Sequence, residues 1–337
     1  MLILLNVLTD ESTNIKGKKV KLSYILGRLI SAVPTILLLT VIVFFSLHLV
    51  PGNVVDIMLG TQNYLNEEQI QNLYSDLGLD KPIIVQYFSW LKGIFTFDLG
   101  HSLRSGKAVS TLISEKFPIT FELALMSIFF SLIIGIPMGL ISAVKQNTKF
   151  DYAFRVIGLV GLSAPVFWIG AIFIVFISSL FSGFSLFGFV PFLEDPLKNI
   201  QVMLIPSITL GIMIAAQIMR MTRNAMLDVL SQDYIKVAKA KGLKGNKVIF
   251  KHALRNGMIP VITTAGIQLG YLIGGTIVVE SMFAIPGMGR LLLQAVNQRD
   301  YPVVQGLVAF IGILIVVLNI IIDILYSIID PRIELSD

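Results

Sequence analysis

Residue types that could do chemistry are few and widely separated in this sequence of 337 residues. The three histidines, His48, His101 and His252, fall in different segments, and no HExxH or other paired metal-ligand spacing occurs. The chain has no cysteine, which excludes disulfides, thiolate metal sites and cysteine nucleophiles, and it has no GxSxG motif. The sequence therefore predicts no catalytic, cofactor-binding or metal site.

The sequence also lacks a phosphate-binding loop. Its nearest match, "GHSLRSGKAV" from Gly100 to Val109, has five residues between the glycines where the motif needs four. It also has Ala108 where a serine or threonine would bind Mg²⁺. The sequence therefore predicts no ATP-binding site in this chain.

Three acidic residues lie within or beside apolar stretches, where an ionisable side chain is a functional candidate. Glu122 is near the start of one stretch, Asp323 is near the end of the last, and Glu280 is at an outer edge. Proton coupling would need a chain of such groups, whereas scattered acids favour structural pairing between helices. Both alternatives stay open.

Small and amide residues mark two other apolar stretches. Gly266, Gly270 and Gly274 are four residues apart, a spacing that allows helices to approach closely. Gln217 and Gln268 carry polar groups that hydrocarbon does not tolerate unpaired. These residues either pack within the chain or lie on a face that the resemblance described below places at a translocation path or a second subunit.

The elements that must position these residues are membrane helices. The chain is 55% hydrophobic and only 14% charged, whereas a soluble domain carries about a quarter charged residues. Its apolar runs are about 20 residues long, the length of a membrane-spanning helix. The net charge of +5 indicates basic cytoplasmic loops rather than a nucleic-acid partner. We predict an all-α polytopic membrane protein with six spans, at 24–50, 118–144, 154–181, 201–221, 259–282 and 304–329.

Lysine and arginine predict the orientation of these spans. They concentrate before the first span, between the second and third, and between the fourth and fifth, so both termini are expected in the cytoplasm. Inverted repeats and broken midplane helices, which would favour an ion-coupled secondary transporter, are not evident. The predicted parts are a cytoplasmic segment 1–23, an uncleaved first span 24–50, an extracytoplasmic segment 51–117, a core 118–330 with a cytoplasmic loop 222–258, and a tail 331–337.

Two short helices are expected in the extracytoplasmic segment. Asn66 and Gln69 resemble a capping box, and Gly78 is expected to end the helix that they start. Ile84, Tyr87, Phe88 and Leu91 then recur at helical spacing after Pro82. Prolines near the ends of four spans are expected to mark helix starts, namely Pro118, Pro206, Pro260 and Pro302.

The segment 233–256, "DYIKVAKAKGLKGNKVIFKHALRN", is unusually basic. Asp233 is expected to cap a short helix, and Gly242 to interrupt it with a positive φ. A second helical pattern follows, so the segment predicts a compact helix–glycine–helix unit below the membrane. The bias of basic residues toward cytoplasmic loops explains the lysines, but it does not require a glycine between two helices.

This segment resembles the cytoplasmic loop of ABC importer permeases of the dipeptide, oligopeptide and nickel type. That loop carries a glycine-centred motif, matched here by "YIKVAKAKGL" followed by "HALRN". Similar family stretches are "GRLISAVPTILLLTVIVFFSLHLVPGN", "LGLDKPIIVQYFSWLKGIFTFDLGHSL", "VVESMFAIPGMGRLLLQAV" and "IDPRI". The resemblance covers most of the chain from about Gly27 onward and implies a type I ABC importer permease fold.

The resemblance implies a role for the loop. The helix before Gly242 would be a coupling helix seated on a cytoplasmic ATPase subunit. Lys236 stands where many ABC importers have glutamate, and the proline after the motif comes only at Pro260, so the ATPase-facing side chains are not fixed. The implied coupling residues are Asp233, Tyr234, Ala238, Ala240, Lys241, Gly242, Leu243, His252, Arg255 and Asn256.

The resemblance further implies the partners and the activity. The chain would import peptides across a bacterial or archaeal plasma membrane, with a second homologous permease, two ATPases and an extracytoplasmic binding protein. The segment 51–117 and the stretch 280–290 would receive the substrate. Nickel chelates, glutathione and oligosaccharides stay open as alternative substrates, because the binding protein largely selects the substrate.

Overall fold

The computed structural model describes residues 22–48 and 80–329, apart from 182 and 184. Five helices are long and apolar enough to cross a membrane, and a bent helix pair makes a sixth span if it counts as one. The membrane helices are α1 (Leu22–His48), α3 (Val109–Val144), the pair α4 (Lys149–Ser163) and α5 (Val166–Leu180), α6 (Pro196–Ser231), α8 (Gly245–Gly275) and α11 (Tyr301–Ile329). The shorter helices are α2 (Ile83–Thr96), α7 (Asp233–Ala240), α9 (Ile277–Met282) and α10 (Met288–Asn297).

Helices α3 and α6 form the centre of the bundle. Their backbones approach closely because glycines stand at the crossing, as small residues do in membrane helix interfaces. A Cβ atom at Gly139 would lie 2.5 Å from the carbonyl oxygen of Met219, and one at Gly135 would lie 2.7 Å from that of Ala215. The apolar core therefore centres on α6, whose buried side chains pack with those of α3, α8 and the outer helices.

The third predicted span is broken. Helices α4 and α5 meet at an angle of 102°, where the sequence reads Ser163, Ala164, Pro165. Ala164 has an extended backbone (φ −74°, ψ 128°), because a residue that precedes proline is disfavoured in the helical region. The expectation of an unbroken helix here was wrong, and Ala164–Pro165 was the overlooked signal.

Three of the four prolines expected at helix starts lie inside helices instead. Pro118, Pro206 and Pro260 are each within a longer helix, so the expectation that they mark helix starts was wrong. Pro302 is the second residue of α11, as expected. Interior prolines are tolerated in membrane helices because neighbouring groups satisfy the freed carbonyls.

The predicted helix after Pro82 is confirmed as α2, and it packs on α1. Tyr87 is buried, and its hydroxyl lies 3.0 Å from that of Thr40 on α1. The rings of Phe44 and Tyr87 meet edge to face with centroids 5.5 Å apart. Asn66, Gln69 and Gly78 lie outside the described residues.

The acids near apolar stretches pair within the chain or pack in it. Asp323 forms an ion pair of 3.2 Å with Arg28, which joins α11 to α1. Glu122 is partly buried on α3 and faces Asn199 of α6. The Asp323 contact agrees with structural pairing between helices.

Candidate coupling segment and path-lining residues

Helix α7 ends in a Schellman motif centred on Gly242. The amide of Gly242 donates to the carbonyl oxygen of Lys239 at 2.9 Å, and that of Leu243 donates to the carbonyl oxygen of Ala238 at 3.4 Å. Gly242 has φ +75°, which confirms the predicted left-handed conformation. Nothing lies within 4 Å of a Cβ atom built there, so the backbone angle alone demands glycine.

The two faces of α7 differ sharply. Ile235 and Ala238 are buried in a small apolar cluster with Met226 of α6 and Val248 of α8. Tyr234 and Val237 are 43% and 52% exposed on the other side, and Phe250 near the start of α8 is 60% exposed. The segment 233–256, the coupling segment, is thus anchored from within and presents an uncovered apolar surface.

The structure brings several predicted coupling residues together. Asn256 donates from Nδ2 to the Tyr234 hydroxyl at 2.9 Å, which ties the start of α7 to α8. The expectation that Asp233 caps α7 was wrong, because Gln232 holds the N-cap position. Asp233 instead pairs with Lys236 at 2.8 Å. Ala240, Lys241 and Arg255 are exposed, whereas Leu243 and His252 are partly buried.

The second half of the coupling segment is continuous with a membrane helix. Residues Val248–Ala253 form a π-helical stretch, after which α8 runs on as an α-helix from Leu254 to Gly275. A π-helical insertion in an α-helix occurs frequently at functional sites. The second half of the coupling segment thus belongs to the same helix as a membrane span.

A buried ion pair, which sequence reasoning missed, supports the segment. The Asp151 carboxylate is fully buried and accepts from Arg223 Nε at 2.8 Å and Nη2 at 2.9 Å. It also accepts from the Ser142 hydroxyl at 2.6 Å and the Asn147 amide at 2.9 Å. One carboxylate therefore joins α3, α4 and α6 just before α6 leads into α7.

The two glutamines predicted in the apolar stretches meet. Gln268 Nε2 of α8 donates to Gln217 Oε1 of α6, and both side chains are partly buried. Each amide thus provides the other with a partner that hydrocarbon would not supply. The pair marks a polar position between two central helices.

The predicted glycine stripe mainly serves packing within the chain. A Cβ atom at Gly266 would lie 3.1 Å from Ile322, and one at Gly274 would lie 3.6 Å from Ile311, both on α11. Gly270 is buried, yet nothing lies within 4 Å of its Cβ position. Close approach of α8 and α11 explains Gly266. Contacts within the chain do not explain Gly270, so the alternative of a path or a second subunit stays open there.

Comparison with known proteins gives the family. The model of the binding-protein-dependent transport system inner membrane component matches residues 135–335, and that of the amino-terminal part of this membrane component matches residues 21–124. The chain belongs to the family of binding-protein-dependent transport system inner membrane components. It is therefore a multi-pass inner membrane permease of the ABC importer type, and membership implies ATPase and substrate-binding partners.

Curated relatives cover nearly the whole chain. The dipeptide transport system permease protein DppB of Escherichia coli K12 is 38% identical over 336 residues, 93% of this chain and 99% of that protein. DppB of Alkalihalophilus pseudofirmus is 38% identical over 333 residues, again 93% and 99%. A chain of the MetNI methionine ABC transporter in an inward-facing conformation matches with TM-score 0.54 and 19% identity, covering 65% of this chain and 96% of that chain. This last likeness supports the type I importer fold alone.

Proposed function

We propose that this chain is one of two related permease subunits of an ATP-driven peptide importer. The observation that carries the proposal is the coupling segment, which is anchored by Ile235 and Ala238 and leaves Tyr234 and Val237 uncovered. Apolar groups exposed beside a membrane bundle indicate a protein partner. The peptide specificity is supported by 38% identity to dipeptide permeases over almost the full length.

The coupling residues divide into two roles. Tyr234, Val237 and the exposed basic side chains of α7 contact the ATPase, while Gly242 and the Tyr234–Asn256 hydrogen bond fix the orientation of that surface. Closure of two ATPase subunits displaces the segment and hence α8. The second permease, the two-to-two stoichiometry and the cytoplasmic position of both termini are part of this proposal.

The path lies between the central helices near the Gln217–Gln268 pair. ATP is bound and hydrolysed by the partner subunits. The stretch Gly100–Val109, which resembles a phosphate-binding loop most closely, forms an outer turn in which Ser102 and Leu103 donate to Asp300. That position suits a scaffold for the receiving surface.

Purification of the tagged chain in gentle detergent tests this function. We expect two ATPases, a sister permease and a binding protein to copurify, and we expect mass spectrometry to find a peptide on the binding protein. The reconstituted assembly should import that peptide with ATP, and the isolated chain should hydrolyse none. A nickel chelate, glutathione or an oligosaccharide on the binding protein would replace the peptide assignment, and gradient-driven transport by the chain alone would overturn the proposal.

A further inference from the structure

The carboxylate of Glu280, on α9, is fully buried and is held by uncharged donors. The hydroxyls of Thr120 and Thr276 each donate to Oε1 at 2.7 Å, and the amide of Arg290 donates to Oε2 at 2.8 Å. Across the described parts of the chain the carboxylate forms no ion pair, and the Arg290 guanidinium donates instead to the carbonyl oxygen of Ala284 at 2.8 Å. These four residues, Thr120, Thr276, Glu280 and Arg290, are the outer clamp.

The outer clamp holds the amino end of α10. Helix α10 spans Met288–Asn297, and its first amides have no partner within the helix. The Met288 amide donates to the Thr120 hydroxyl at 2.8 Å, and the Arg290 amide donates to Glu280. A carboxylate at a helix amino end also interacts favourably with the helix dipole. Glu280 and Thr120 therefore cap α10 from two other helices.

Close packing allows little freedom around this contact. A Cβ atom at Gly287 would lie 2.4 Å from Glu280 Oε1, and one at Gly289 would lie 2.8 Å from the Cα atom of Ile277. Between α9 and α10, Ala284 has φ +55°, and its amide and that of Ile285 are bonded back into α9. The clamp thus fixes both the position and the direction of α10.

We propose that Glu280 is a positioning residue that presents α10 and the stretch 280–290 to incoming substrate in one orientation. The inference rests on the proposed function and on the expectation from the family resemblance that this stretch receives the substrate. Glu280 touches no substrate, because its carboxylate is buried and satisfied. Its contribution is to preorganise the receiving surface, which lowers the cost of substrate capture.

Glu280→Gln is the primary test. Both carboxylate oxygens of Glu280 accept hydrogen bonds, whereas a glutamine has one oxygen and one NH₂ group. Either the Arg290 amide or the two threonine hydroxyls would therefore face an NH₂ group. Thr120→Val removes one donor without loss of volume, and Thr120→Ser returns the hydroxyl. Glu194→Gln, at an exposed outer position between α5 and α6, is the matched control. The chain has no native cysteine, so Ala295→Cys, which places a thiol at a position only 4% exposed on α10, reports movement of that helix.

Two readouts are measured on the assembled complex in nanodiscs and vesicles. We expect Glu280→Gln and Thr120→Val to accelerate labelling of the Ala295→Cys thiol by a water-soluble maleimide. We expect both to raise the KM for peptide by about tenfold, the factor for loss of one hydrogen bond to a charged group, with kcat nearly unchanged. Thr120→Ser and Glu194→Gln should behave like the parent.

The labelling readout needs no transport, so the two proposals fail separately. If the parent complex imports no peptide, the proposed function fails, while labelling still decides whether the clamp holds α10. Should Glu280→Gln or, where that variant does not fold, Thr120→Val leave both the labelling rate and KM at parent values, the positioning role is wrong. A fall in kcat with unchanged KM and labelling would likewise contradict it.

Discussion

At one end of the membrane bundle the coupling segment exposes apolar side chains, whereas at the other end the outer clamp buries polar ones. Tyr234 and Val237 lie uncovered on a helix that ends at a turn whose shape depends on one glycine. Glu280 and Thr120 lie fully buried in a network that satisfies both side chains. An exposed apolar surface is typical of an interaction site, while the outer clamp is complete within this chain.

Replacement of Gly242 should have the largest effect on peptide uptake, because it changes the turn that shapes the exposed end of the bundle. Gly242→Val should abolish peptide uptake while the protein still inserts, because a β-branched residue resists the left-handed backbone, at about 1–2 kcal/mol for an ordinary residue. Gly242→Asn should retain most uptake, since asparagine tolerates this conformation. Gly245→Val is the control, because its Cβ position is equally open and its φ is not positive. Normal peptide uptake by Gly242→Val would show that this turn is not needed for coupling.

The next largest effect is expected from breakage of the Asp151–Arg223 pair, which should destabilise the end of the bundle that carries the coupling segment. Asp151→Ala leaves the Arg223 guanidinium, only 16% exposed, without its carboxylate, and such losses cost about 3–5 kcal/mol. Adding Arg223→Met should recover much of that cost, because no unpaired buried charge remains. Equilibrium unfolding in detergent measures the two variants. Equal stability of the single and double variants would mean that the pair does not act as a unit.

A smaller effect is expected at the outer turn. Asp300 is 3% exposed and accepts from the Ser102 hydroxyl at 2.6 Å and the Leu103 amide at 3.1 Å. Asp300→Asn should cost about 1.5–3 kcal/mol, and hydrogen exchange should accelerate in residues 100–106 but not in the coupling segment. Asp98→Asn, at an exposed carboxylate with one local contact, is the control. Faster exchange at both ends would contradict the independence of the two regions.

The smallest effect is expected between the ends, at Gln217 and Gln268. Interhelical hydrogen bonds in membranes contribute about 0.6 kcal/mol on average and about 1.7 at most. Gln217→Leu should therefore reduce stability by about that amount, and the double change with Gln268→Leu should cost little more. If the pair lines the path, the double variant should lose peptide uptake beyond its loss of stability. Unchanged uptake would assign the pair to packing.

Local features of the fold were predictable from sequence. Apolar runs of spanning length predicted the membrane helices, and the spacing of Ile84, Tyr87 and Leu91 predicted α2. Gly242 predicted a positive φ, because glycine adopts that conformation freely. Each of these signals lies within a few neighbouring residues.

Contacts between distant segments were not predictable in this way. Ser102 and Asp300 are 198 residues apart in sequence, Thr120 and Glu280 are 160 apart, and Asp151 and Arg223 are 72 apart. Helical periodicity identifies the buried face of a helix but not the residue that faces it. Glu280 was recognised as a candidate acid, but its role emerged only when folding placed Thr120 and Arg290 around it.

Photo-crosslinking from the coupling segment tests whether this segment contacts an ATPase subunit. Because the chain has no native cysteine, Val237→Cys can carry a single benzophenone label, and Leu193→Cys at a 95% exposed outer position serves as the control. In native membranes the account predicts that the Val237→Cys label joins the chain to an ATPase subunit and that the Leu193→Cys label does not. A transport-competent assembly in which the Val237→Cys label never reaches an ATPase would contradict it.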